Sequence, residues 1–248
     1  MATHKLLKKI IVKGRIEAMT GIAIGGTNSA MAIGGVDKGV IRNPVSGEPY
    51  IPGSTLKGKM RSLLEMNHGT IGDTEMGIVK NGPSENYAHR STKLFGNAVR
   101  DSKQDQRPSR IIVRDARLTD EQSGGKSKAD FFKNTDLLYT EVKTEVVIDR
   151  ITSRAMPRQL ERVPAGSLFT FELVLNIFEE DTEKNLVDDM FSALRLVQND
   201  YIGGAGSRGS GQIRFDIQSV KAYDGAYYRH EKSTADDLTE TYRPQFPN

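Results

Sequence analysis

The sequence predicts an α+β protein, and three observations carry that prediction. Apolar and polar residues alternate as in half-buried strands over 10–18, 169–177 and 213–217. Leu56, Met60, Leu63 and Leu64, and again Val187, Met190, Phe191, Leu194 and Val197, recur at helical spacing. With a further strand-like run at 111–118, the order is strand, helix, strand, strand, helix, strand. That is the ferredoxin-like (RRM-like) βαββαβ arrangement. Hydrophilic stretches at about 68–110 and 119–141 read as subdomains inserted into this frame.

In the first strand, Ile10, Val12, Gly14, Ile16 and Ala18 alternate with Lys9, Lys13, Arg15 and Glu17. A long glycine-rich loop follows, in which Asp37 is the lone acidic side chain between residues 20 and 40. Loops of that length in a compact domain are usually functional or disordered. The run YIPGSTLKGKMRSLL at 50–64 then starts a helix: Pro52 and Gly53 end an extended segment, and Ser54 is placed to cap exposed N–H groups. Lys57, Lys59 and Arg61 crowd its first two turns, mostly off the apolar stripe, where they face solvent or an anion such as phosphate. A surface helix with solvated lysines is the commoner fate of such a pattern. Residues 53–60 (GSTLKGKM) fail as a P-loop because Met60 stands where a hydroxyl must hold magnesium.

Val142 to Ile148 alternates once more, and beyond it Arg150, Arg154, Arg158 and Arg162 recur every fourth residue, with Pro157 opposing a continuous helix. An arginine face on a protruding hairpin suits an RNA backbone, and surface ion pairing with Asp149, Glu161 and their neighbours suits it equally. The strand at 169–177 and the helix ending near Asn199 lead to Gly204, Gly206 and Gly209, which spell G-x-G-x-x-G. A helix precedes and a strand follows, the reverse of a dinucleotide-binding turn. What remains is a backbone cradle with Ser207 and Arg208 as polar contacts. The tail at 223–248 is polar and reads as partly disordered.

Composition sets limits. The chain has 248 residues and no cysteine, which excludes disulfides, thiol catalysis and thiolate zinc sites and agrees with a reducing, cytoplasmic compartment. His4, His68, His89 and His230 are scattered, and none pairs at metal-ligand spacing. The basic N-terminus alternates lysine with apolar residues and suits a strand better than a signal peptide, and no segment is long enough to span a membrane. A formal net charge of +3 says little about a polyanion partner; the local clusters say more. No RNP-type aromatic run appears on a strand, so base stacking on sheet aromatics is not expected.

EAMTGIAIGG, GGVDKGVIRNP, YIPGSTLKGKMRSLL, LFGN, TEVKTEVVIDRITSRAMPRQLER and GGAGSRGSG, in that order and spacing, resemble the RAMP superfamily, and within it the backbone (Cas-seven-like) subunits of type III-A (Csm) CRISPR-Cas effector complexes. The resemblance covers nearly the whole chain from the first strand to the glycine loop. It implies a palm bearing a hairpin thumb at about 142–168, stacked in a self-associating helical filament on a crRNA guide beside other Csm subunits. It also implies metal-dependent endoribonuclease activity on complementary target RNA. The aspartate matching Asp37 is the residue such proteins need for cutting. Arg42, Ser54, Lys57, Lys59, Arg61, Arg154, Arg158, Arg162, Gly204, Ser207 and Arg208 are the expected RNA contacts. Ala23 stands where related sequences often carry His.

An aspartate of ordinary pKa, about 3.9, is a poor general base at neutral pH, so Asp37 is expected to bind Mg2+ or to position a ribose 2′-OH. One carboxylate can suffice, because magnesium keeps waters and takes phosphate oxygens. Three function classes stay open: guide-directed ribonuclease, purely structural RNA-binding filament subunit, and guide-processing endonuclease. The third normally wants a histidine, and only His68 is near the first helix.

Overall fold

The computed structural model describes residues 4–25, 39–71, 81–97 and 107–246. Its main elements are β1 (Leu6–Ala18), α1 (Gly53–His68), α2 (Arg90–Phe95), β2 (Ile111–Val113), β3 (Glu141–Ile148), β4 (Ala155–Arg162), β5 (Leu168–Phe178), α3 (Glu183–Gln198) and β6 (Ile213–Asp224). β1 is the middle strand of an antiparallel sheet, with β5 and then β2 on one side and β6 and then Asp236–Asp237 on the other. Of the four strands expected from the periodicity, the last therefore lies beside the first, and the third separates the first from the second.

Ile10, Val12 and Ile16 of β1 join Leu56, Met60 and Leu64 of α1 and Met190, Phe191 and Leu194 of α3 in one buried cluster. Each such side chain contributes about 1.5–3 kcal/mol by leaving water. Lys9, Lys13, Arg15 and Glu17 project from the opposite face, as period-two alternation requires. Gly14 lies at a register shift against β6, where a Cβ would come within 2.1 Å of the Asp216 carbonyl oxygen and 2.7 Å of Phe171. No side chain fits there.

The structure corrects four expectations. Ser54 is not the cap of α1: Pro52 occupies that position, and the Asp115 carboxylate accepts from the Gly53 N–H at 2.7 Å. A carboxylate at a helix start favours the dipole, and Gly53 is required because a Cβ would sit 2.2 Å from the Val113 carbonyl oxygen. That junction also interrupts the strand at 111–118: Ile111–Val113 pairs with β5, Ala116–Arg117 pairs with Tyr50–Ile51, and Leu118 bridges Phe169 of β5 again.

The described part of the 68–110 stretch is less irregular than its composition suggests, since Leu94 and Phe95 of α2 enter the core. Arg110 is fully buried, with hydrogen bonds to Asp181 (2.9 Å) and Glu180 (2.8 Å) and its guanidinium over the Phe178 ring. The tail is ordered through Phe246. Tyr242 stacks on Phe191 at 4.6 Å, Phe246 is buried, and the Thr239 hydroxyl accepts from the Val220 N–H at 2.9 Å.

Candidate nucleic-acid interface

β3 and β4 form a two-stranded hairpin paired from Glu141 with Arg162 at the base to Ile148 with Ala155 at the tip. At the turn, the Asp149 carboxylate accepts from the N–H groups of Thr152 and Ile151, which hold its pKa below the usual range. Val146, Val147, Ile148, Ile151 and Met156 are all exposed, so the hairpin has no core of its own. The every-fourth spacing resolves into a strand face: Arg158 and Arg162 lie on one side of β4, and Arg154 stands at the turn. The ion-pair reading holds for one of these arginines, with a partner across the hairpin. Arg162 donates to Glu141 at 2.6 Å, whereas Arg154 and Arg158 are exposed and form no ion pair among the described residues. Glu145, opposite Arg158, is held by Arg208 (3.1 Å) and Lys143 (3.2 Å) instead.

The glycine loop at 203–211 packs against residues 21–25. Gly204 donates its N–H to the Ala23 carbonyl at 2.7 Å and Gly211 to that of Gly21 at 2.9 Å. At Gly203, with φ +81°, a Cβ would come within 2.5 Å of the Ala23 oxygen. On its other side, Ile22 exchanges backbone hydrogen bonds with Val163 just beyond β4. The expected cradle is thus a backbone clamp: the Gly204 N–H is already used, and Ser207 and Arg208 are the exposed polar members left facing outward.

Arg42 lies in the strand-like stretch that returns from the glycine-rich loop. Its guanidinium donates to the carbonyls of Gly47 (2.8 Å) and Leu138 (2.7 Å), to Thr140 Oγ1 (2.8 Å) and to Glu161 Oε1 (2.5 Å). These bonds commit both terminal nitrogens of the Arg42 guanidinium to protein acceptors. Glu161 is buried and also accepts from Thr140 Oγ1 (2.6 Å) and the Val40 N–H (2.8 Å). Burial alone would push this carboxyl up; the hydrogen bonds from Thr140, Val40 and Arg42, with the Arg42 charge, hold it below the usual carboxylate range. Sequence reading had placed Glu161 only among surface ion pairs, because nothing local shows that its partners lie at 40, 42 and 140.

The cations of α1 also have internal partners. Lys57 donates to Ser109 Oγ at 2.8 Å, Lys59 pairs with Asp200 at 3.0 Å and lies over the Tyr201 ring, and Arg61 binds Glu65 at 2.8 Å and the Ser84 carbonyl at 2.7 Å. Burial and then the neighbouring Arg61 charge push the Lys57 ammonium down. Packing against the 81–97 and 107–113 stretches, invisible in the local pattern, draws Lys57 and Arg61 inward, and Asp200 with Tyr201 draws Lys59. His68 sits 4.0 Å from Asp189 at the far end of α1 and does not line the hairpin cleft.

Between hairpin and palm lies a cleft of about 610 Å³, lined among others by Ala23, Gly39, Val147, Met156, Arg158 and Arg208. Gly25 and Val40 form a backbone bridge beside it. Asp37 lies outside the described residues, two positions before Gly39 in the sequence. No group of three or more His, Asp or Glu among the described residues could hold a metal, and Glu161 is committed to its own donors. The described cleft does not fit a metal cage built by protein groups alone. No helix among the described residues is long and apolar enough to cross a membrane.

Comparisons with known proteins agree with this architecture. The model of the RAMP superfamily matches residues 15–214. The CRISPR system Cms endoribonuclease Csm3 of Enterococcus italicus is 36% identical over 90% of this chain and 96% of its own length. That of Methanocaldococcus jannaschii is 40% identical over 94% and 89%. Among solved structures, the Csm3-Csm4 subcomplex of a type III-A CRISPR-Cas interference complex aligns with a TM-score of 0.58 at 30% identity, covering 97% of this chain and 96% of the other.

Proposed function

The chain belongs to the RAMP superfamily, and from that membership we propose that it is the guide-RNA-binding backbone subunit of a type III-A CRISPR interference complex, an endoribonuclease that cuts complementary target RNA. In this reading a ferredoxin-like palm polymerises along the crRNA in contact with other Csm subunits, and the hairpin is the thumb. One observation carries the reading furthest: a hairpin with exposed apolar side chains and free arginines overhangs a cleft whose lining reaches Gly39, two residues from Asp37.

The chemistry is transesterification within the target strand. A ribose 2′-oxygen bonds to the adjacent phosphorus as the P–O5′ bond breaks, and the 2′-OH proton passes through solvent to the departing 5′-oxygen. The products are a 2′,3′-cyclic phosphate and a 5′-OH. The reaction needs in-line geometry above all. The apolar hairpin flank bearing Val147 and Met156 would unstack the target there, while Arg154, Arg158 and Arg208 hold its phosphates. Asp37 positions the 2′-OH or holds Mg2+, which when bound supplies charge neutralisation at the phosphate. Of the α1 cations, Lys57 is bound only to a hydroxyl and remains the best placed to meet the guide backbone.

The test is Asp37→Ala in the reconstituted complex, with cleavage and target binding measured together. Cleavage should vanish with binding intact, and wild-type cutting should stop in excess chelator. Equal cutting by variant and wild type would overturn the assignment of Asp37, and undiminished cutting in chelator would overturn the magnesium role.

A further inference from the structure

The face of the sheet turned away from α1 and α3 carries a second groove, of about 690 Å³, which shares no lining residue with the hairpin cleft. Lys13 of β1, and Arg114 and Arg117 beyond β2, stand along it, with Thr170 and Gln218 as neutral polar members. Lys13 (3.1 Å) and Arg114 (2.7 Å) share a single carboxylate, that of Glu172; burial pushes it up, and their hydrogen bonds and then their charges hold it below the usual range. Asp115, the other acid of the groove, is directed at the start of α1, where it accepts from the Gly53 N–H. Arg117 is exposed and has no carboxylate partner among the described residues. Three cations thus face two carboxylates, one of them turned to the helix start, in a groove large enough for more than one phosphate. Its short edge strand leaves it open at the side.

We propose that this groove is an accessory, sequence-independent contact for the phosphate backbone of single-stranded RNA, with Arg117 as its free cation. The proposal rests on the reading above that the chain works on RNA, and it adds a surface which that reading does not use. Phosphate oxygens suit the exposed fork of Arg117 geometrically, and Lys13 and Arg114 need only share Glu172 with the incoming anion. No base readout is implied, since the one aromatic in its lining, Phe171, is buried and presents no stacking face.

The experiment is a salt titration of a fluorescein-labelled 20-nucleotide uridylate binding to the full chain, as wild type, Arg117→Ala and Arg117→Glu. One lost phosphate contact lowers the slope of log affinity against log salt by about 0.7 and weakens binding roughly 5- to 10-fold near 50 mM salt. Arg117→Ala should show that change and Arg117→Glu a larger one, with unfolding midpoints unchanged and the same loss for an adenylate of equal length. Unchanged slopes in both variants, with the wild type binding RNA, would overturn the groove and leave the ribonuclease reading standing. A wild-type chain that binds no RNA would overturn both. Loss of complex assembly at an unchanged slope would identify an acidic protein as the occupant and contradict the proposal.

Discussion

In β1, Ile10, Val12 and Ile16 are at most 1% exposed, whereas in the hairpin Val146, Val147 and Ile148 remain 52%, 55% and 60% exposed. Both segments alternate or run apolar in sequence; they differ in what lies against them. The palm strand is flanked by two strands and backed by two helices, while the hairpin has one partner strand and, among the described residues, no helix packed against it. Two-stranded hairpins are marginal alone, and this one is fastened at its base by the Glu161 network and by Ile22 with Val163. Apolar side chains retained on such an arm indicate a surface kept for a partner. Changes in the palm should therefore be felt as stability, and changes along the hairpin as function.

The largest stability effect is expected at Arg110. Replacing it with Met leaves the buried Asp181 without its cation, and breaking a buried pair costs about 3–5 kcal/mol, to be read from denaturant unfolding of the subunit. A smaller loss, with a pH signature, is expected for Glu161→Gln. The Glu161 pKa is depressed in the folded state, so its contribution is present above the ordinary carboxylate range near 4.3 and fades as pH falls through the folded value. The wild-type advantage over the variant should hold at pH 7 and shrink steadily in acid; an advantage independent of pH would show that shape, not charge, fastens the hairpin. On the hairpin itself, Val147→Ser with Met156→Ser should leave stability within about 0.5 kcal/mol. It should slow target cleavage roughly 10- to 100-fold through lost alignment.

The smallest change concerns α1. Three free cations would contribute about −2 to the salt slope of guide binding, but Lys59 and Arg61 are already paired with Asp200 and Glu65. Substituting Lys57, Lys59 and Arg61 by Gln together should remove only about 0.7. A loss near 2 would show that the guide breaks those pairs and that the helix start behaves like the hairpin.

The palm was legible because its apolar periods run for ten residues or more and agree with one another. The cap of α1 was not, because its carboxylate comes from Asp115, 62 residues beyond Gly53. The tail looked disordered because Tyr242 and Phe246 are isolated aromatics whose partner, Phe191, lies on α3. At the site, the arginine spacing was readable, but its division into paired and free members depends on cross-strand register with Glu141 and Glu145, which only the hairpin reveals. The internal partners of Arg42 were hidden for the same reason. A cation beside a functional loop looks the same in sequence whether its partner is a phosphate or a buried glutamate.

The most direct test of the division between scaffold and working arm is to replace the hairpin tip, residues 148–155, with a glycine-serine turn of equal length and to follow three quantities in the reconstituted complex. The account predicts an unfolding midpoint within a few degrees of wild type, guide binding retained, and target cleavage lost at every cut position. Cleavage at the wild-type rate by the tipless chain would contradict it.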